Sequence, residues 1–134
     1  MRFAHLHVHT EYSLLDGSNK ITEYVNRAKE LGMDSAAITD HGVMYGVIDF
    51  YRAAKAAGIR PILGCEVYVA PGSMYDKETT GGEDRYYHLV LLAENNTGYS
   101  NLMKIVSKGI VEGYYYKTSE DKSVQEKHQT RILA

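Results

Sequence analysis

A single cysteine, Cys65, in 134 residues excludes an intramolecular disulfide. No apolar run approaches the ~20 residues that span a bilayer, and the opening Met1-Arg2-Phe3 leads into no apolar core of a secretion signal. These absences lead to the expectation of a cytosolic protein without a membrane partner. Charge of neither sign is in excess. A net charge of −2 makes no global basic field, so a polynucleotide would have to be met locally. Internal repeats and low-complexity stretches are missing too, and tryptophan is absent beside twelve tyrosines, from which no function follows. What is present, 44% hydrophobic and 24% charged residues, suits one domain with a modest core.

Apolar periodicity divides the chain into alternating strands and helices. Phe3 to Val8 alternates with period two and is predicted as a first strand, followed by a loop from Thr10 to Asn19. Ile21, Tyr24, Val25, Ala28 and Leu31 have helical spacing, with Gly32 as the stop. Ser35 to Thr39 reads as a second strand. Val47, Ile48, Tyr51 and Ala54 mark a second helix ended by Gly58, and Ile62 to Val69 a third strand. A polar loop from Pro71 to Arg85 precedes a fourth strand at Tyr87 to Ala93. A third helix runs from near Thr97 to Gly113. Lys117 to Gln129 reads as charged and weakly helical, and Arg131 to Ala134 as the start of another strand. Strands alternating with helices predict an α/β fold of βαβ units with a parallel sheet.

In such sheets functional residues collect at the carboxyl ends of strands. In the first predicted strand, period two sets Phe3, His5, His7 and His9 on one face and Ala4, Leu6 and Val8 on the other. A column of imidazoles has no purpose on a solvated strand but suits a metal pocket. His7 and His9 close that strand, Asp16 lies in the loop behind it, His41 just past the second strand, and Glu66 late in the third. His88 fits less well. It stands at the start of its strand, and geometry leaves it either a ligand or a surface histidine. Asp40 is either a partner that orients His41 or a helix N-cap. Cys65 reads as a small buried hydrophobe, and Glu11 and Ser13 as loop structure. Histidines with Asp16 and Glu66 form a nitrogen and oxygen donor set suited to Zn²⁺, Mn²⁺ or Fe²⁺ more than to Mg²⁺. There are too many donors for one tetrahedral ion. A cluster of two or three ions, bridged by Glu66, would serve phosphoester hydrolysis.

These phrases resemble a known family. H-x-H-x(6)-D at the start, T-D-H-G at 39–42, G-C-E at 64–66 and H-L-V-L-L-A at 88–93 are similar to the PHP (polymerase and histidinol phosphatase) domain. The intervening phrases from Arg2 to about Tyr116, among them F-A-H-L-H-V-H-T-E-Y-S-L-L-D-G and G-I-R-P-I-L-G-C-E-V-Y-V, resemble its polymerase branch, the bacterial replicative DNA polymerase III alpha subunits. The resemblance implies the first half of a distorted (β/α)7 barrel with metals at its mouth. It implies His7, His9, Asp16, His41, Glu66 and His88 as ligands, Zn or Mn as the metal, and so decides His88. Residues 1–116 would be a partial PHP domain and 117–134 a weakly matched continuation. In the parent chain it implies templated nucleotidyl transfer, 3′–5′ exonuclease proofreading, and DNA and replicase subunits as partners. The family's later ligands would lie past Ala134, so this stretch alone is expected to be inactive and to self-associate through open sheet edges. A free-standing phosphoesterase of histidinol-phosphatase type and a metal-binding structural module are the alternatives.

Overall fold

The computed structural model describes residues 3–14, 16–75, 86–118 and 125–130, with side chains as far as residue 114. Helix α1, Ile21–Glu30, buries Ile21, Val25 and Ala28, one stripe of a 3.6-residue period. Glu23 in its first turn and Arg27 and Lys29 in its last oppose the helix dipole. Strand β1, Ser35–Ile38, follows, and then α2, Val47–Ala57, which ends on Gly58 in the left-handed conformation at φ 76°. Ile38, Val47, Phe50 and Ala54 close over Val25 and Ala28 to make the main core.

Strand β2, Arg60–Val69, lies beside β1 in parallel, with Ser35 opposite Arg60 and Ile38 opposite Leu63. Three residues on, the same register places His41 opposite Glu66. Along β2, Leu63 packs on the main core, while Cys65 and Val67 form a second cluster with Leu102 and Val106 of α3, Asn96–Glu112. Cys65 is fully buried, as expected for a small hydrophobe. Alternation therefore turns Leu63, Cys65 and Val67 toward the helices, and Glu66 and Tyr68 the other way. The Asn95 side chain caps α3 by accepting the Gly98 N–H at 3.0 Å.

Three expectations are corrected. Phe3 to Val8 forms no strand. The chain bends at Leu6 and His7, and only Val8 engages the sheet. Its N–H donates to Thr39 Oγ1 (2.7 Å) and its carbonyl accepts the Thr39 N–H (2.9 Å). Because β1 ends at Ile38, a side-chain hydroxyl stands where a ladder would continue. Leu6, on the supposed aliphatic face, is half-exposed. Second, strand β3, Tyr87–Leu92, runs antiparallel to β2, with Tyr68 opposite His88 and Glu66 opposite Val90. The sheet, ordered β1-β2-β3, is therefore mixed rather than parallel. No helix occurs among the described residues between β2 and β3, and without a crossover the chain can only return antiparallel. Third, the segment read as weakly helical holds β4, Tyr114–Thr118, paired antiparallel with β5, Gln125–Thr130. Tyr114 to Tyr116 favour extended backbone, and strand pairing outweighs a marginal helix propensity in the residues after them. The predicted loop at 76–85 and strand at 131–134 lie outside the described residues.

Candidate metal centre

Every predicted ligand arrives at one place, on the face of β2 turned away from the helices. Glu66 is its hub, with a side chain only 5% exposed. Its Oε2 meets His7 Nε2 and, at 2.6 Å, His9 Nε2. Its Oε1 lies 2.6 Å from His88 Nδ1. Asp16 Oδ2 lies 2.5 Å from His9 Nδ1 and 2.9 Å from His41 Nε2. Three overlapping groups could each hold an ion: His7-His9-Glu66, His9-Asp16-His41 and His41-Glu66-His88. His5 stays outside them, exposed, with its ring edge-on to Phe3. His88 reaches the cluster because β3 is antiparallel. The start of that strand lies at the carboxyl end of β2, and cross-strand pairing puts His88 on the face of Tyr68 and Glu66.

The local sequence holds this geometry. Glu66 N–H donates to the Asp40 carbonyl (3.0 Å) and Gly42 N–H to the Glu66 carbonyl (2.9 Å), so the D-H-G turn runs on beside β2. Gly42 has φ +63°, a conformation costly for other residues, and a Cβ there would stand 3.2 Å from the Tyr68 ring. Among the described residues Asp40 makes no hydrogen bond to the His41 ring, and it does not cap α2, whose N-cap is Gly46. Its buried carboxylate accepts the Thr10 N–H (2.6 Å) and hydroxyl (2.9 Å), which anchors the residue after His9. Ser13 Oγ accepts the His41 N–H at 3.1 Å. Gly17 lies so close to Thr10 that a Cβ would fall 1.9 Å from the Thr10 carbonyl oxygen, which brings Asp16 back over the site.

Thr10, Ser13 and Tyr68 were the supporting residues that sequence reasoning missed. Only Tyr68 had a signal, since its parity matches Glu66. A cavity of about 530 Å³ opens beside His7, His9 and Asp16 and is also lined by Tyr24, Arg27 and Leu31.

The donors pair with one another and could also hold divalent cations. A neutral imidazole carries one N–H, yet both ring nitrogens of His9 face carboxylate oxygens. Among the described residues, the buried His41 Nδ1 has no hydrogen-bond partner and lies 3.7 Å from Glu66 Oε2. His7 and His9 bring their Nε2 atoms within 3.2 Å of each other. Bonds of ~2.0–2.1 Å to one tetrahedral ion hold ligand atoms roughly 3.3 Å apart. Electrostatics prepare the same protonation states. Burial alone would raise the Glu66 carboxyl, but hydrogen bonds from His7, His9 and His88 outweigh it and hold the pKa at about 2. Burial lowers the His41 pKa, against the pull of Glu66, and so favours the neutral ring that ligates metal. Burial also raises the Asp40 carboxyl, opposed by its two Thr10 bonds, and pushes the Tyr68 phenol up to about 12.

Residues 5–134 match the PHP domain. Among curated proteins, the chain is 48% identical over 133 residues to the DNA polymerase III subunit alpha of Treponema pallidum, covering 99% of this chain and 11% of that one. It is 46% identical to that of Borreliella burgdorferi (98% and 12%) and 41% identical to that of Thermus aquaticus (100% and 11%). It thus spans about a tenth of the length of these relatives. Among solved structures, an amidohydrolase from Chromobacterium violaceum with bound sulfate superposes with TM-score 0.52 at 26% identity, over 78% of this chain and 34% of that one. A Bifidobacterium adolescentis protein assigned as a metal-dependent phosphoesterase superposes with TM-score 0.54 at 22% identity, over 81% and 35%, which bears on fold alone.

Proposed function

The chain belongs to the PHP domain family, and from that premise we propose that His7, His9, Asp16, His41, Glu66 and His88 hold two or three divalent cations, Zn²⁺ or Mn²⁺. One observation carries this reading. The two oxygens of Glu66 are claimed by different histidines, Oε2 by His7 and His9 and Oε1 by His88, which is the arrangement a bridging carboxylate needs. The all nitrogen-and-oxygen donor set, rich in imidazole, favours these metals over Mg²⁺. Bound there, the ions supply Lewis acidity toward a phosphoryl oxygen and toward water. His7, His9, His41 and His88 fix positions around Glu66. Asp16 spans His9 and His41, and the cavity beside His7 and His9 leaves room for a phosphoester.

The parent protein in this proposal is a cytoplasmic replicative DNA polymerase of the alpha-subunit type, which meets DNA and other replicase subunits. Identities of 41–48% across nearly all of the chain support it. In that parent the centre hydrolyses the 3′ end of single-stranded DNA, as a proofreading exonuclease. The 134-residue stretch alone supplies only part of the ligand set and is inactive. The test is made on the full-length polymerase with Mn²⁺ or Zn²⁺ and a 3′-labelled single strand. Degradation that Glu66→Ala abolishes, with primer extension retained, is the expected result. Bound metal without degradation would favour the structural module, and a wild-type protein that retains no metal would overturn the reading.

A further inference from the structure

Tyr68 packs its ring against the cluster without being one of its donors. Its ring lies parallel to that of His41, at 2° and 5.6 Å between centroids, and edge-on to that of His88, at 84° and 5.1 Å. His41 and His88 meet each other at 81° and 5.2 Å, so three rings from three segments wedge one another in place. The Tyr86 ring meets Tyr68 at 72° and 4.8 Å and His88 at 5.4 Å, and another side is the Gly42 backbone, where a Cβ would press on the Tyr68 ring at 3.2 Å. The T-D-H-G turn, β2 and β3 are thus keyed together by one phenol ring. Among the described residues, Tyr68 makes no ring contact with His7 or His9, which are held from the Thr10 and Asp40 side.

We propose that Tyr68 is a positioning residue for one half of the centre, the His41-Glu66-His88 group, and leaves the His7-His9-Glu66 group to other supports. The inference rests on the metal reading above. A flat ring does the work by stacking, so the hydroxyl is dispensable while the ring is not.

The full-length polymerase, freed of metal, is titrated with Co²⁺ under chelator competition, with ligand-field absorption and bound equivalents as readouts. Tyr68→Leu weakens one class of ions roughly 10–100-fold, the range seen when a residue supporting a ligand is removed, and leaves another class unchanged. Tyr68→Phe restores both classes and their spectrum. Equal binding by Tyr68→Leu and the unsubstituted chain overturns this proposal alone, as does a Tyr68→Phe chain as weak as Tyr68→Leu. An unsubstituted chain that binds no Co²⁺ overturns the metal reading and this inference with it. If Tyr68→Leu does not fold, a crystal structure of the unsubstituted polymerase decides. A Tyr68 ring in contact with those of His41 and His88 is expected, and its absence overturns the stacking.

Discussion

Glu66 is a nearly buried carboxylate whose ionised form survives because three imidazoles face it. Without metal, its pKa near 2 lies below the ordinary 4.5. A group whose folded pKa is depressed contributes stability that is complete above the unfolded value and is lost as pH falls toward the folded one. The chelator-treated chain should therefore lose stability between pH 4.5 and 2, read as a falling denaturant midpoint, and Glu66→Gln should flatten that fall. Asp40 works in the opposite direction, because its raised carboxyl binds protons more readily in the folded chain. Its role also shows where residue-level reading stops. Adjacency in T-D-H-G suggested a partner for His41, yet a side chain two positions out of β1 meets what tertiary packing brings, and that is Thr10.

At the level of elements, the strands that carry ligands are short and their ends are set by turns. The tight passage from β1 into the D-H-G turn depends on Gly42 at φ +63°. Gly42→Ala is expected to cost about 1–2 kcal/mol for the left-handed backbone, with a further loss as its Cβ meets Tyr68. Urea unfolding measures the sum, and an unchanged midpoint would refute the close fit. Helices α1, α2 and α3 were legible from 3.6-residue spacing and their glycine stops, because a buried stripe leaves a local mark and, at Gly32 and Gly58, so does a left-handed glycine. The orientation of β3 was not. Period two says which residues share a face but nothing about direction, and the antiparallel return of β3 is what delivers His88.

For the molecule as a whole, the sheet ends at two edges. β1 is partly covered by the Val8–Thr39 contacts. Beyond β3 no strand pairs among the described residues, and Tyr87, Leu89 and Leu92 are exposed along it. An uncovered apolar edge recruits another strand. Sedimentation of the 134-residue chain should show association that rises with concentration, and Leu89→Lys should reduce it. A monomer at all concentrations would show the edge to be protected. Relatives that continue far beyond this stretch, of which it covers about 11%, have further chain with which such an edge could be paired.

Composition, spacing and motif phrases already singled out the side chains that the structure gathers around Glu66. Each of His7, His9, Asp16, His41, Glu66 and His88 is chemically conspicuous, and the motif phrases place them by local neighbours alone. The strand expected at Phe3 to Val8 was wrong although His7 reaches the cluster, because a side chain needs only to reach the site while a strand needs a partner along its length. Which atoms meet, that Glu66 is shared through both oxygens, that Thr10 rather than His41 takes Asp40, and that Tyr68 braces two imidazoles depend on contacts between segments distant in sequence. Such contacts follow from register, strand direction and close packing, which no local pattern of residues encodes.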